Sequence, residues 1–173
     1  MTCVIENITQ PATPSSATDA TFWKGHTMSN IAPLVHAETT GDVRATLDAI
    51  KGKIGMVPNL YATLAKAPAT LNGLLALSGA LDQGTLTKAE GELVALVVGQ
   101  TNECGYCVSA HTMIAKGAGV SATDILAARA GTLASGRNGA IVALAKAVVT
   151  KKGHVTTADL SAAKMAGLSE SDI

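Results

Sequence analysis

Aromatic residues are almost missing from this 173-residue chain: one Trp, one Phe and two Tyr make up 2% of it. Charge is scarce as well, at 15%, and it cancels, thirteen Lys and Arg standing against thirteen Asp and Glu. A phosphate backbone is gripped by an excess of Lys and Arg, often with stacking aromatics, so this balance argues against a nucleic-acid partner. No apolar run approaches the ~20 residues needed to cross a bilayer. The longest, at 93–98, reads as a buried helix segment. The N-terminal stretch lacks the basic and apolar regions of a secretory signal, so the Asn7-Ile8-Thr9 sequon reads as chance. Three cysteines, at 3, 104 and 107, are too few for a disulfide framework. The expected location is therefore cytoplasmic, with no membrane contact. In that compartment a close cysteine pair is redox-active or metal-binding rather than structural.

What abounds is small and aliphatic: 47% of the chain is hydrophobic, carried by Ala, Val, Leu and Ile. Ala and Leu favour helices, and small side chains let helices pack closely, which predicts an all-α bundle. Residues 1–33 are expected to be disordered, because a Pro/Ser/Thr/Ala stretch without periodicity cannot offset the entropy of ordering. Met28 is a candidate biological start, with 1–27 as a leader of doubtful nativeness. Residues 34–173 form the expected single domain.

Within it, Val43, Leu47, Ile50 and Ile54 recur at helical spacing. Pro58 and Pro68 suit first turns of helices near 58–66 and 68–82. Thr87 and Glu90 form a capping box opening a helix to about 102, and another covers roughly 105–116 before the glycines at 117 and 119. Ser121/Asp124, Thr156/Asp159 and Ser169/Asp172 are further helix starts, each flanked by the apolar pair of a hydrophobic staple. The first two open helices near 122–130 and 157–166, with one near 138–151 between them. The third has no room for a body before Ile173, so the expectation is a truncated C-terminal helix. Gly52/Gly55 and Gly136/Gly139 imitate the GxxG of RNA-binding KH loops, but without flanking strands or basic surroundings. No phosphate-cradling glycine motif is present, and no cofactor is expected.

The chemistry is concentrated between Glu92 and His111. Cys104 and Cys107 can close a disulfide at the first turn of a helix, where free N–H groups and the helix dipole favour a thiolate. Cys107 and His111 stand one turn apart on one face, ~6 Å along the axis, whereas Cys104 and His111 are ~10.5 Å apart. His111 therefore serves Cys107 first. Glu92 borders the most apolar stretch, where an unpaired carboxylate is costly. If the 88–102 and 105–116 helices form an antiparallel hairpin pivoting near Glu103, Gly99 falls opposite Cys107 and Glu92 opposite 111–114. Thiol, imidazole and carboxylate then converge as nucleophile, base and orienter. Two arguments compete over the nucleophile. The helix terminus favours Cys104 by ~0.3–1 kcal/mol, while a positioned base favours Cys107 by ~10²–10⁴ in rate, roughly 3–5 kcal/mol. The larger effect points to Cys107.

Other readings of the same residues stand beside this one. Cys104, Cys107 and His111 could supply three zinc ligands, with Glu92, His26 or Cys3 as the fourth, though no second CxxC or HxxxH accompanies them. The pair could also be inert beside a satisfied core histidine. His26, His36 and His154 are isolated and read as surface or capping residues, and Glu103 as a solvated helix-end acid.

The arrangement Glu92, eleven residues, then Cys104-Gly105-Tyr106-Cys107 and His111 resembles the core motif of the alkylhydroperoxidase AhpD family, within the carboxymuconolactone decarboxylase-like superfamily. Gly55-Met56-Val57-Pro58-Asn59-Leu60 and Lys66-Ala67-Pro68 resemble the preceding segment of its peroxidase-related members. The likeness covers about 33–165. It implies an all-α AhpD-like bundle, assembly into homotrimers or homohexamers, and reduction of a small hydroperoxide at the expense of a thiol or dithiol reductant, whether a small molecule or a protein. By that likeness Cys107 attacks the peroxide, Cys104 resolves the sulfenic acid, and Glu92 and His111 relay protons, with no metal involved. Tyr106 stands where well-studied antioxidant members often carry His. The alternatives are a thiol–disulfide oxidoreductase of a partner protein, or a redox-sensing or zinc-holding oligomeric module.

Overall fold

The computed structural model describes residues 30–134 and 136–173. The expectations for Cys3, the Asn7 sequon, His26, the Met28 start and nearly all of the disordered 1–33 segment lie outside them. Among the described residues there are eight α-helices, one 3₁₀ turn and no strand. The chain divides into two compact units, up to Ser78 and from Gly79 onward.

In the first unit a 3₁₀ turn at His36–Glu38 precedes α1 (Gly41–Ile54), α2 (Asn59–Leu64) and α3 (Pro68–Leu81), which ends just past the division. The periodic apolar face of α1 buries Leu47 and Ile50 in a core with Ala65 and Leu71. Its C-terminus closes on Gly55 in the left-handed conformation, φ 86°, as glycine readily allows. Pro58 lies one residue outside α2, as its N-cap, and α2 is shorter than its periodicity predicts because 65–67 turn back on its carbonyls. His36 Nε2 donates to Asp48 Oδ1 at 2.7 Å, and Arg44 binds the same carboxylate.

The second unit is built on α4 (Lys88–Thr101), against which α5 (Gly105–Gly117), α6 (Ala122–Ala130) and α7 (Arg137–Thr150) pack, with α8 (Thr157–Met165) on α7. Thr87 and Glu90 close the expected capping box at the start of α4. Leu93, Leu96 and Val97 are fully buried with Ala115, Ile125, Ala128 and Val142. Each such Leu or Val contributes about 1.5–3 kcal/mol through burial, and the alanines facing them keep the helices close. Ser121 and Thr156 cap α6 and α8 as their spacing requires. Ser169 and Asp172 make the same reciprocal bonds, but here the box closes a turn.

Candidate active site

The site is positioned by the junction of α4 and α5. Glu103 takes the left-handed conformation, φ 56°, donating its N–H to the Gln100 carbonyl, while the Cys104 N–H reaches back to that of Gly99 at 2.9 Å. Those two bonds are the Schellman closure of a helix, with Glu103 where glycine is usual. The residue that ends one helix opens the next: Cys104 is the N-cap of α5, and its Sγ accepts the Cys107 N–H at 3.2 Å. Cys104 and Cys107 are joined as a disulfide, their Cα atoms 5.3 Å apart, and both are half-buried.

The hairpin has the register expected from the sequence. Gly99 lies against Cys107. One turn beyond Cys107, His111 Nδ1 donates to Glu92 Oε2 at 2.8 Å, nineteen residues away in sequence. The Glu92 side chain is 14% exposed and that of His111 35%, so the carboxylate lies beneath and the imidazole opens towards solvent. With Nδ1 held by a carboxylate, Nε2 is the ring nitrogen left to exchange protons. Tyr106, between the cysteines, is 39% exposed. Glu103 is exposed, as a helix-end acid should be, and His36 and His154 lie on other elements. Among the described residues no group of three or more His, Cys, Asp and Glu could hold a metal ion.

The Carboxymuconolactone decarboxylase family matches residues 68–150, the segment that carries all four of these side chains. An uncharacterized peroxidase-related protein from Ralstonia eutropha JMP134, described as an alkylhydroperoxidase AhpD core, superposes with a TM-score of 0.74 at 28% identity, over 85% of this chain and 80% of that one. An uncharacterized peroxidase-related protein from Silicibacter sp. TM1040 gives 0.72 at 22% identity over 83% and 80%, a likeness of fold. No functionally curated protein matches the sequence. The chain is thus similar to the AhpD-like proteins of the carboxymuconolactone decarboxylase superfamily.

This AhpD-like fold is all-α, as its composition implies, and its Cys104-x-x-Cys107 pair is closed as a disulfide. Among the described residues no helix is long and apolar enough to cross a membrane.

One polar cluster of this AhpD-like chain went unread in the sequence. Arg137, at the first residue of α7, donates to Glu90 Oε1 at 2.6 Å and grips both oxygens of Asp172 at 3.1 and 3.0 Å. Thr85 Oγ1 donates to the same Asp172 carboxylate at 2.6 Å. The Arg137 guanidinium, with Thr85 and Ser169, holds the Asp172 carboxyl far below the ordinary carboxylate range. Burial pushes Glu90 up, but the Thr87 N–H and Arg137 outweigh it, so its carboxyl also lies below its ordinary value. The GxxG imitation at 136–139 is explained here. Gly136 caps α7 at φ 113°, and a Cβ on Gly139 would collide with the Ala134 carbonyl oxygen. The only signals in the sequence were the two capping boxes, whose acids are shared with Arg137.

Proposed function

We propose that this chain is a thiol-dependent peroxidase of the alkyl hydroperoxide reductase type, acting on a small hydroperoxide through Cys107 and Cys104, with Glu92 and His111 relaying protons. His111 takes the Cys107 proton, and the thiolate attacks the O–O bond of the hydroperoxide. An S–O bond forms, the O–O bond breaks, and the departing alkoxide receives that proton and leaves as the alcohol. Cys104 then attacks Cys107 Sγ, the sulfenic oxygen leaves as water, and the disulfide closes before further oxidation. A thiol or dithiol reductant, whether a small molecule or a protein, returns two electrons and two protons by exchange. Glu92 keeps the imidazole oriented and stabilises it while charged. The reaction is assigned to the cytoplasm and to a homotrimer or homohexamer.

The observation that carries this reading is the 2.8 Å Glu92–His111 bond one helical turn from Cys107, beside a cysteine pair that closes. The peroxidase-related description of the Ralstonia protein supports it. A second reading, disulfide exchange with a partner protein, is favoured by Tyr106, an exposed aromatic side chain between the two cysteines in the sequence. The test is turnover on several hydroperoxides with a dithiol donor, alongside trapping of the sulfenic acid in single variants. Labelling is expected to survive in Cys104→Ser and vanish in Cys107→Ser. The reverse pattern moves the nucleophile to Cys104. Turnover on protein disulfides with none on hydroperoxides replaces the first reading with the second.

A further inference from the structure

Gly99 touches both cysteines. It is buried on α4, and its carbonyl accepts the Cys104 N–H at 2.9 Å. A Cβ built on it would stand 3.1 Å from Cys107 Cβ, 3.5 Å from Val108 N and 3.6 Å from Val108 Cγ2. Gly91, on the same helix, would meet nothing within 4 Å. A mid-helix glycine carries a conformational cost relative to alanine wherever it stands, so at position 99 something other than helix formation has to favour it.

We propose that Gly99 is a positioning residue for the cysteine pair: its carbonyl fixes Cys104 while its missing side chain seats Cys107 within bridging reach. A disulfide demands close placement of both β-carbons, ~3.5–4.5 Å apart, and two free thiols do not. A methyl group at 99 must move Cys107 by a few tenths of an ångström, while Cys104 stays tied to the same residue through the backbone. The displacement therefore weighs on the disulfide more than on the dithiol. This rests on the reading that the pair cycles between the two states, and does not depend on a peroxide being the oxidant.

The test is equilibration of the full chain in glutathione buffers. Oxidised glutathione takes two electrons from the two thiols, the protein disulfide forms, and two reduced glutathiones leave. The equilibrium constant is read by thiol alkylation and mass spectrometry for wild type, G99A and G91A. G99A is expected to lower the constant about tenfold, a rise of ~30 mV in reduction potential, while G91A leaves it within twofold. Equal melting losses in oxidised and reduced G99A, with an unchanged constant, would mark Gly99 as packing alone and overturn the proposal. If G99A does not melt cooperatively, G99A/V108A, which removes the 3.6 Å neighbour, takes its place. A double variant that still fails to fold also overturns the proposal. A shifted constant in a chain without peroxide turnover sinks the peroxidase reading and leaves this one standing.

Discussion

Two residues of the α4–α5 hairpin carry opposite kinds of consequence. Glu92 lies beneath the imidazole, and its charge fixes which ring nitrogen holds the proton. Glu92→Gln keeps the shape but lets the ring turn over, because an amide can donate as well as accept. With acid–base assistance contributing ~10²–10⁴ overall, losing the orienter is expected to lower kcat/KM for hydroperoxide roughly ten- to hundredfold. Steady-state rates at pH 7 check this, and an unchanged rate would remove Glu92 from the relay. Glu103 is a matter of stability instead. Its left-handed backbone, φ 56°, costs a side chain about 1–2 kcal/mol, whereas glycine adds about 0.4–1 kcal/mol of unfolded-state freedom. Glu103→Gly is therefore expected to stabilise the chain by about 0.5–1 kcal/mol in urea unfolding, with the Cys104 turn unchanged.

Among elements, the starts of α4 and α7 and the Ser169–Asp172 turn are tied together by Arg137. Both carboxylates titrate below their ordinary values, 4.5 for Glu90 and 3.8 for Asp172. Groups lowered on folding give stability that is fully present above those values and is lost as pH falls towards the folded ones. Wild-type melting temperature should hold above pH 5 and drop on acidification from pH 5 to 3. Arg137→Met strands both acids, so it should melt lower at pH 7 and decline less steeply with acid. Asp159, pulled down to about 2 by Lys151 and the Thr156 cap, titrates in the same direction and leaves a residual slope in the variant. Calorimetry across pH 3–7 reads both curves, and parallel curves would mean that Arg137 does not control the acid response.

At the scale of the whole molecule, several large apolar side chains stand exposed among the described residues. On α3, Leu77 is 60% and Leu81 68% exposed, and Met165 at the end of α8 is 88% exposed. With charge at only 15% of residues, little repulsion opposes association of such faces. Light scattering is expected to give a homotrimer or homohexamer at micromolar concentration, and Leu77→Glu with Leu81→Glu a smaller species. A wild-type monomer at that concentration would count against the assembly.

The helices and the meeting of the cysteine pair, His111 and Glu92 were legible because both are local. Capping pairs such as Thr87/Glu90 sit three residues apart, and a turn too short to wander sets the α4–α5 register, so even Glu92 and His111, nineteen residues apart, could be paired from the sequence. Arg137 could not. Its partners lie 47 and 35 residues away, and a charge pair leaves no periodic trace along the chain. The Ser169/Asp172 box likewise reads as a helix start, yet its acid is shared with Arg137 and Thr85 from distant elements. The sequence by itself determined where most of the helices begin and which side chains face one another across a short turn. Which buried carboxylate meets which guanidinium was decided only by tertiary packing, because desolvating an acid selects whatever cation the folded chain brings within reach.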